Sequence, residues 1–237
     1  RSLFLENNDL FSNPGSDEDG SIVPGDAYRI KPFYTRRIGI KDWQHTPITY
    51  GTKLSGSLND GLRVGLLNVQ TERYEGDQPQ NYSAVAFQQS VFKNSSLSGL
   101  FLNRETTGQP RFLPGEENLT HYNRNGGLEF DFISNNNQWS TSMLYYKSFL
   151  PGANRHSSFY GTEVDYRTSR FRTRNMVYYV DENYVSDMGY VPRLYHYDAV
   201  NDTTYRKGYT EASNLMTLSF FPGTNIQFMK LSSRLST

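Results

Sequence analysis

From residue 48 onward, apolar and polar side chains take alternate positions, the period-two signature of strands with one greasy and one polar face. Leu128, Phe130 and Phe132 share one face while Gly127, Glu129 and Asp131 share the other. Tyr160, Thr162, Val164 and Tyr166 oppose Gly161, Glu163, Asp165 and Arg167, and Phe171, Thr173, Val177 and Tyr179 oppose Arg172 and Arg174. Ile48, Tyr50, Leu54 and Leu58 oppose Thr49, Gly51, Lys53 and Ser57. Helical periodicity is nearly absent. The pattern predicts an all-β chain with strands over 33 to 40, 48 to 58, 62 to 72, 81 to 92, 96 to 104, 126 to 134, 138 to 149, 158 to 168, 171 to 181, 209 to 221 and 225 to 235. Strands 62 to 72, 96 to 104 and 138 to 149 alternate poorly, since Leu66-Leu67, Leu100-Phe101-Leu102 and Leu144-Tyr145-Tyr146 are apolar on both faces.

The connections alternate as well. Asp60-Gly61, Asn94-Ser95, Asn135-Asn136-Asn137, Ser169-Arg170 and Gly223-Thr224 mark tight turns, and Asp-Gly suits a type I′ hairpin. Long connections fall between them, at 41 to 47, 73 to 80, 105 to 125, 150 to 157 and 182 to 208. An up-and-down meander gathers the short turns at one end of the sheet and the long loops at the other, the asymmetry of outer-membrane barrels. The predicted strands run about 9 to 12 residues, close to the length that crosses a bilayer at a tilt. A soluble antiparallel sheet with one wet face is the competing reading; it needs a second apolar layer and usually has shorter strands. Tyr50, Tyr82, Trp139, Tyr145, Tyr146, Tyr160, Tyr178, Tyr179 and Tyr209 fall near strand ends, where amphipathic rings suit a membrane interface.

Composition narrows the field. The 237 residues include 24 basic and 24 acidic side chains and no cysteine. A net charge of zero gives no electrostatic reason to expect nucleic acid as a partner. Without cysteine there is no disulfide scaffold, thiolate nucleophile or zinc-thiolate site. A mean hydropathy of −0.69 and the lack of any uninterrupted apolar run of about 18 residues exclude membrane-spanning helices but not a β-barrel, in which only alternate residues need be apolar. Residues 1 to 32 stand apart, because Ser12-Asn13-Pro14-Gly15, Asp17-Glu18-Asp19-Gly20 and Pro24-Gly25 crowd turn signals into a loop-rich lead-in. The expected organisation is that lead-in followed by an antiparallel up-and-down transmembrane β-barrel over 33 to 237. Eleven predicted strands and the ending Leu235-Ser236-Thr237, without a terminal aromatic, point to a truncated barrel.

Two stretches, Phe4-Leu5-Glu6-Asn7-Asn8-Asp9-Leu10-Phe11 and Pro32-Phe33-Tyr34-Thr35-Arg36-Arg37-Ile38-Gly39, resemble a family of gram-negative outer-membrane barrels. Its members usually carry a carbohydrate-binding domain resembling family 9 upstream, and the barrel portion is catalogued as a domain of unknown function. Gly51-Thr52-Lys53-Leu54-Ser55-Gly56 and Gly65-Leu66-Leu67-Asn68-Val69-Gln70-Thr71 are similar to that family's first barrel hairpin. The matching residues singled out are Phe4, Glu6, Asp9, Phe11, Arg36, Arg37 and Gly39; Ser2-Leu3 stands where the family has Pro-Phe. The resemblance implies outer-membrane lipid as surroundings, an upstream carbohydrate-binding domain outside this chain, and no reaction.

Candidate chemistry is sparse. His45, His121, His156 and His196 lack metal-ligand spacing, and Asp17-Glu18-Asp19-Gly20 lacks the spaced ligands of a calcium loop. No phosphate loop, dinucleotide fingerprint or nucleophile elbow occurs, so neither metal, cofactor nor catalysis is expected. Glu129 with Asp131, and Glu163 with Asp165, are paired carboxylates on a strand face. The expected account is charge pairing with Lys53, Arg167, Arg172 and Arg174 in a wet lumen, where these charges set solute preference. The segment 182 to 208 is dense in aromatics, and Tyr184, Tyr190, Tyr195 and Tyr197 are candidates to stack on sugar faces; a loop packing over the barrel mouth on its own rings is the other reading. The expected role is a conduit for small, glycan-derived solutes, the alternative a surface binding protein that uses the barrel as an anchor.

Overall fold

A computed structural model describes residues 7–11, 30–41, 44–74, 78–108, 121–152, 155–192, 194–220 and 229–236. The chain is all-β. Two short strands, β1 (Ile40–Lys41) and β2 (Gln44–His45), form a small hairpin, followed by β3 (Ile48–Ser57), β4 (Leu62–Thr71), β5 (Gln80–Val91), β6 (Ser95–Thr106), β7 (Tyr122–Ile133), β8 (Trp139–Phe149), β9 (Ser158–Arg167) and β10 (Phe171–Val180). A second hairpin, β11 (Tyr195–Asp198) with β12 (Thr203–Arg206), precedes β13 (Tyr209–Phe220) and β14 (Met229–Ser236).

Ten of these strands, β3 to β10 with β13 and β14, make one antiparallel sheet in chain order, with β3 and β14 as its edges and, among the described residues, no ladder joining those edges. Its strands match ten of the eleven segments read from the alternation. The eleventh, 33 to 40, is not a sheet strand. Thr35–Arg37 forms a 3-10 turn, and Phe33 and Ile38 are buried, so their apolar spacing serves packing rather than pairing. The turn at Asp60-Gly61 also differs from expectation. A type I′ turn needs positive φ at both central residues, and neither has it. Instead the Asn59 side chain accepts from the Gly61 and Leu62 amides, at 2.9 Å each.

Long connections stand at one end of the sheet, and two inserts pack on its inner face. One is the lead-in, residues 7–11 and 30–39; the other is the stretch 184–194 after β10. Leu10, Phe11, Ile30, Phe33 and Ile38 from the first and Tyr184, Met188 and Leu194 from the second join Leu67, Val69, Ala84, Ala86, Leu100, Leu102, Tyr146, Phe159, Tyr178 and Val180 of the sheet in one buried cluster. This explains the poorly alternating strands. Their outward residues, Leu66, Phe101 and Tyr145, are exposed, while inward Leu67, Leu100, Leu102 and Tyr146 lie under the inserts.

The outer face has the opposite character from that of a water-soluble sheet. Leu128 is 53% exposed and its neighbour Glu129 only 3%. An apolar row crosses the ladders at Leu54, Leu66, Val85 and Phe101, all of them exposed. Another runs Leu128, Tyr145, Tyr160, Tyr179, with the last two rings stacked at 4.9 Å. Six residues along β9, about 20 Å at strand rise, Tyr166 packs on Trp139 with ring centroids 4.6 Å apart. Beyond the first row the outer face turns polar, where the Asn68 amide donates to Asn81 and Ser83 at 3.0 and 2.8 Å. A polar trio interrupts the apolar surface, and its members bond one another: Asn214 donates to Asn175 at 2.6 Å and to Thr173 at 3.3 Å.

Candidate functional site

The inner face gathers the charged residues that alternation assigns to it, through the register of β9 and β10. Arg174 lies opposite Asp165, and Met176 opposite Glu163. Reaching diagonally, the Arg174 guanidinium donates to Glu163 at 2.5 Å and stands 3.9 Å from Asp165. Arg172 donates to Asp165 through both Nε and Nη2, at 3.0 and 2.5 Å. These are charge-assisted forks, with the rigidity that planar guanidinium groups bring. Arg167 and Lys53 do not join this group as expected. Arg167 is exposed at the end of β9, opposite like-charged Arg172. Lys53, on β3, places its ammonium 5.4 Å from the Phe11 ring centroid.

The β7–β8 register brings hydroxyls to Glu129 and Asp131: Tyr146 donates to Glu129, and Ser142 donates to Asp131 at 2.6 Å. Between Glu129 and the lead-in lies a cavity of about 20 Å³, lined also by Asp9, Leu10, Phe11, Gln88 and Tyr146, which is room for one water.

The lead-in is fixed by polar contacts at its own end. Asp9 accepts from Arg63 at 2.8 Å, and this bond holds its carboxyl below the usual range against the opposing pull of burial. Asn7 donates to Ser55 at 2.9 Å. Leu10 and Phe11 occupy the space above Gly65, where a Cβ would stand 2.6 Å from the Phe11 ring. Of the family-motif residues, Asp9 and Phe11 therefore make defined contacts, and Gly39 takes a positive φ of 74°. Arg37 is exposed. Phe4, Glu6 and the Arg36 side chain lie outside the described residues, as do most of the 105 to 125 loop and the acidic turn at 17 to 20.

The four candidate stacking tyrosines are not equivalent. Tyr184 is fully buried, 5.7 Å from the Phe159 ring, and burial raises its hydroxyl pKa. It packs the interior and cannot meet a solute at the surface. Tyr190 is part-exposed, and its main chain exchanges both hydrogen bonds with Lys31, at 2.9 and 2.7 Å. Tyr195 and Tyr197 project from one face of the β11–β12 hairpin and are exposed. The Arg206 guanidinium stands 5.3 Å from the Tyr195 ring. Tyr197 donates to Asp202 at 2.8 Å, which raises its pKa, and the Asn201 side chain lowers that of Asp198. On the other face, His196 and Tyr205 stack at 5.9 Å.

For 184–194 the structure matches the reading of a loop that packs on its own rings, with Tyr184, Met188 and Leu194 buried; that it packs against the lead-in was not legible in the sequence. Among the described residues, no three His, Asp or Glu side chains are arranged to hold a metal ion, and no helix is long and apolar enough to cross a membrane. Comparison with family models, curated proteins and solved structures finds no match to this chain.

Proposed function

We propose that the ten-stranded sheet is the wall of an outer-membrane β-barrel that serves as a conduit for small solutes, glycan-derived ones among them. The observation that carries this reading is the inversion of polarity between adjacent residues: Glu129 is 3% exposed on the inner face, and Leu128 53% exposed on the outer. In water the outer leucines, phenylalanines and methionines each forgo about 1.5 to 3 kcal/mol of burial, and a continuous apolar surface of this kind marks contact with lipid or another chain. Hydrocarbon removes the penalty. It also accounts for the trio Thr173, Asn175 and Asn214 bonding one another, as polar groups facing lipid must. The aromatic rows at Tyr145-Tyr160-Tyr179 and Trp139-Tyr166 suit the two interfaces, and the separation of short turns from long connections suits the periplasmic and outer sides. Closure would pair β3 with β14 or with further strands.

The inner charges supply a hydrated wall, and the paired Arg172 and Arg174 are its selective element. No reaction is assigned. A second reading, a binding protein anchored by the barrel, draws on the exposed tyrosines of the β11–β12 hairpin. Full-length protein reconstituted in planar bilayers tests the first: stepwise current supports it, and no current demotes it in favour of the anchor. Loss of glycan binding on deletion of 195 to 206, with current retained, gives the hairpin that separate role. Monomeric, folded protein in detergent-free buffer overturns both.

A further inference from the structure

We infer that Arg124 and Lys147, on the outer face of β7 and β8, hold the phosphate of an anionic lipid headgroup in the leaflet beside the long connections; this rests on the reading of the sheet as a membrane wall. Charge begins on the outer face at a defined level. Alternation and register place Glu105, Arg124 and Lys147 outward, close to the long connections. From Arg124 and Lys147 toward the short turns, the outward positions of β3 to β10 and of β13 hold no Asp, Glu, Lys or Arg. The two cations therefore stand at the rim of the apolar surface, beside Phe101, Leu128 and Tyr145, all of them exposed.

Both turn their charge away from that surface. The Arg124 guanidinium lies 4.5 Å from the Tyr122 ring centroid, and the Lys147 ammonium 5.9 Å from that of Phe149. Tyr122 opens β7 and Phe149 closes β8, so each ring lies nearer the long connections than the residue whose cation it meets. Basic side chains take this posture when their stems lie along apolar surface and their heads reach the polar boundary. The β7–β8 register sets Phe149 directly opposite Arg124, so both heads border one ring.

Neither charge is neutralised by a close partner. Lys147 forms no ion pair among the described residues. Arg124 donates from Nε to Asn103 at 2.9 Å, which orients the guanidinium plane. Its Nη2 stands 4.0 Å from Glu105, beyond hydrogen-bond length, and both side chains are about half exposed. A planar fork and a mobile ammonium are complementary donors for one phosphate. Between the neighbouring strands, Gly126 lies opposite Phe101 on one side and Lys147 on the other. A Cβ there would meet only Phe101, at 3.8 Å. The glycine thus leaves a slot beneath the two cations, shaped for an acyl chain. A soluble phosphate would need neither the slot nor the apolar surface below it, so the occupant is a lipid.

Electron spin resonance of the full-length protein in phosphatidylcholine vesicles, doped with trace spin-labelled lipid, tests this. The parent chain should immobilise spin-labelled phosphatidic acid in preference to spin-labelled phosphatidylcholine. Arg124→Gln and Lys147→Gln should each lower that preference about fivefold, the effect of one basic side chain at an anionic surface, and the double variant should treat the two lipids alike. Glu105→Gln, which removes the carboxylate beside Arg124, should raise the preference. With heat-modifiability on gels unchanged, equal preference in the parent and the double variant, or one that Glu105→Gln fails to raise, overturns the headgroup site while the membrane wall stands. Loss of the preference on adding inorganic phosphate, but not sodium chloride of the same ionic strength, gives the pair to a soluble anion and overturns the lipid. Absence of any immobilised lipid around the parent chain overturns the wall reading itself.

Discussion

Tyr146 lies over Gly127 across the β7–β8 ladder, so closely that a Cβ on the glycine would stand 2.1 Å from the ring. The arrangement recurs at the next inner glycine, Gly161, beneath Tyr178 at the same 2.1 Å. Phe159 stacks between the two tyrosines, 6.3 and 6.1 Å from them. Glycine under an aromatic ring lets the sheet bend while the ring restores the lost packing. Gly127→Val should therefore cost about 1 to 3 kcal/mol through overpacking. Gly126→Val is the control, since a Cβ there meets only Phe101 at 3.8 Å. Denaturant unfolding in detergent compares the two, and equal midpoints refute the interlock.

Phe130 and Asp131 test the assignment of faces. Phe130→Arg should destabilise by about 2 to 4 kcal/mol if its side chain meets hydrocarbon, while Asp131→Asn, bonded to Ser142, should leave folding intact and alter only ion or solute preference. Heat-modifiability on gels gives the readout, and a harmless arginine at 130 sinks the membrane assignment.

Arg174 bridges two carboxylates, and its side chain is 14% exposed. Arg174→Met strands Glu163, and about 3 kcal/mol should be lost. Pairing Arg174→Met with Glu163→Gln should recover most of that loss. A double-mutant cycle without such coupling would show the pair to be incidental.

The Tyr184 hydroxyl is buried and has no hydrogen-bond partner among the described residues. Tyr184→Phe removes an unsatisfied polar group while keeping the ring, so stability should hold or rise by about 1 kcal/mol. A loss in thermal unfolding would reveal a partner for that oxygen.

Acid should loosen the lead-in. The carboxyl of Asp9 is held below its ordinary value of 3.8 by Arg63, so its contribution is complete above that value and is lost as pH falls through the lowered one. Amide-exchange protection of residues 7 to 11, corrected for the intrinsic pH dependence of exchange, should fall below about pH 4 in the parent chain, and Asp9→Asn should flatten that dependence. The effect is small, because the Asp9 side chain is 61% exposed.

The sheet could be read from the chain because its strands obey a local rule: neighbours in sequence point to opposite faces, and neighbouring strands are joined in order. Glu163, Asp165, Arg172 and Arg174 met as expected because two consecutive strands carry them. What alternation could not supply was the third dimension above the inner face. Phe33 and Ile38 look like strand residues until the space they fill is known. Tyr184 resembles a surface ring until Asn123 and Ser148 are seen to draw its segment inward. Glu129 accepts from Tyr146, a contact set by a register that alternation does not reveal.

Each ladder of the sheet joins strands consecutive in the chain, save that the β11–β12 hairpin stands between β10 and β13. Such a sheet grows by short closures, each costing little entropy. The inserts are the exception: their bonds span 48 residues from Asn7 to Ser55, 54 from Asp9 to Arg63 and 154 from Pro32 to Ser186. Local ladders cost little loop entropy to close and the inserts' distant contacts cost more, so the seat of the inserts rests on a sheet whose own contacts lie near in the chain.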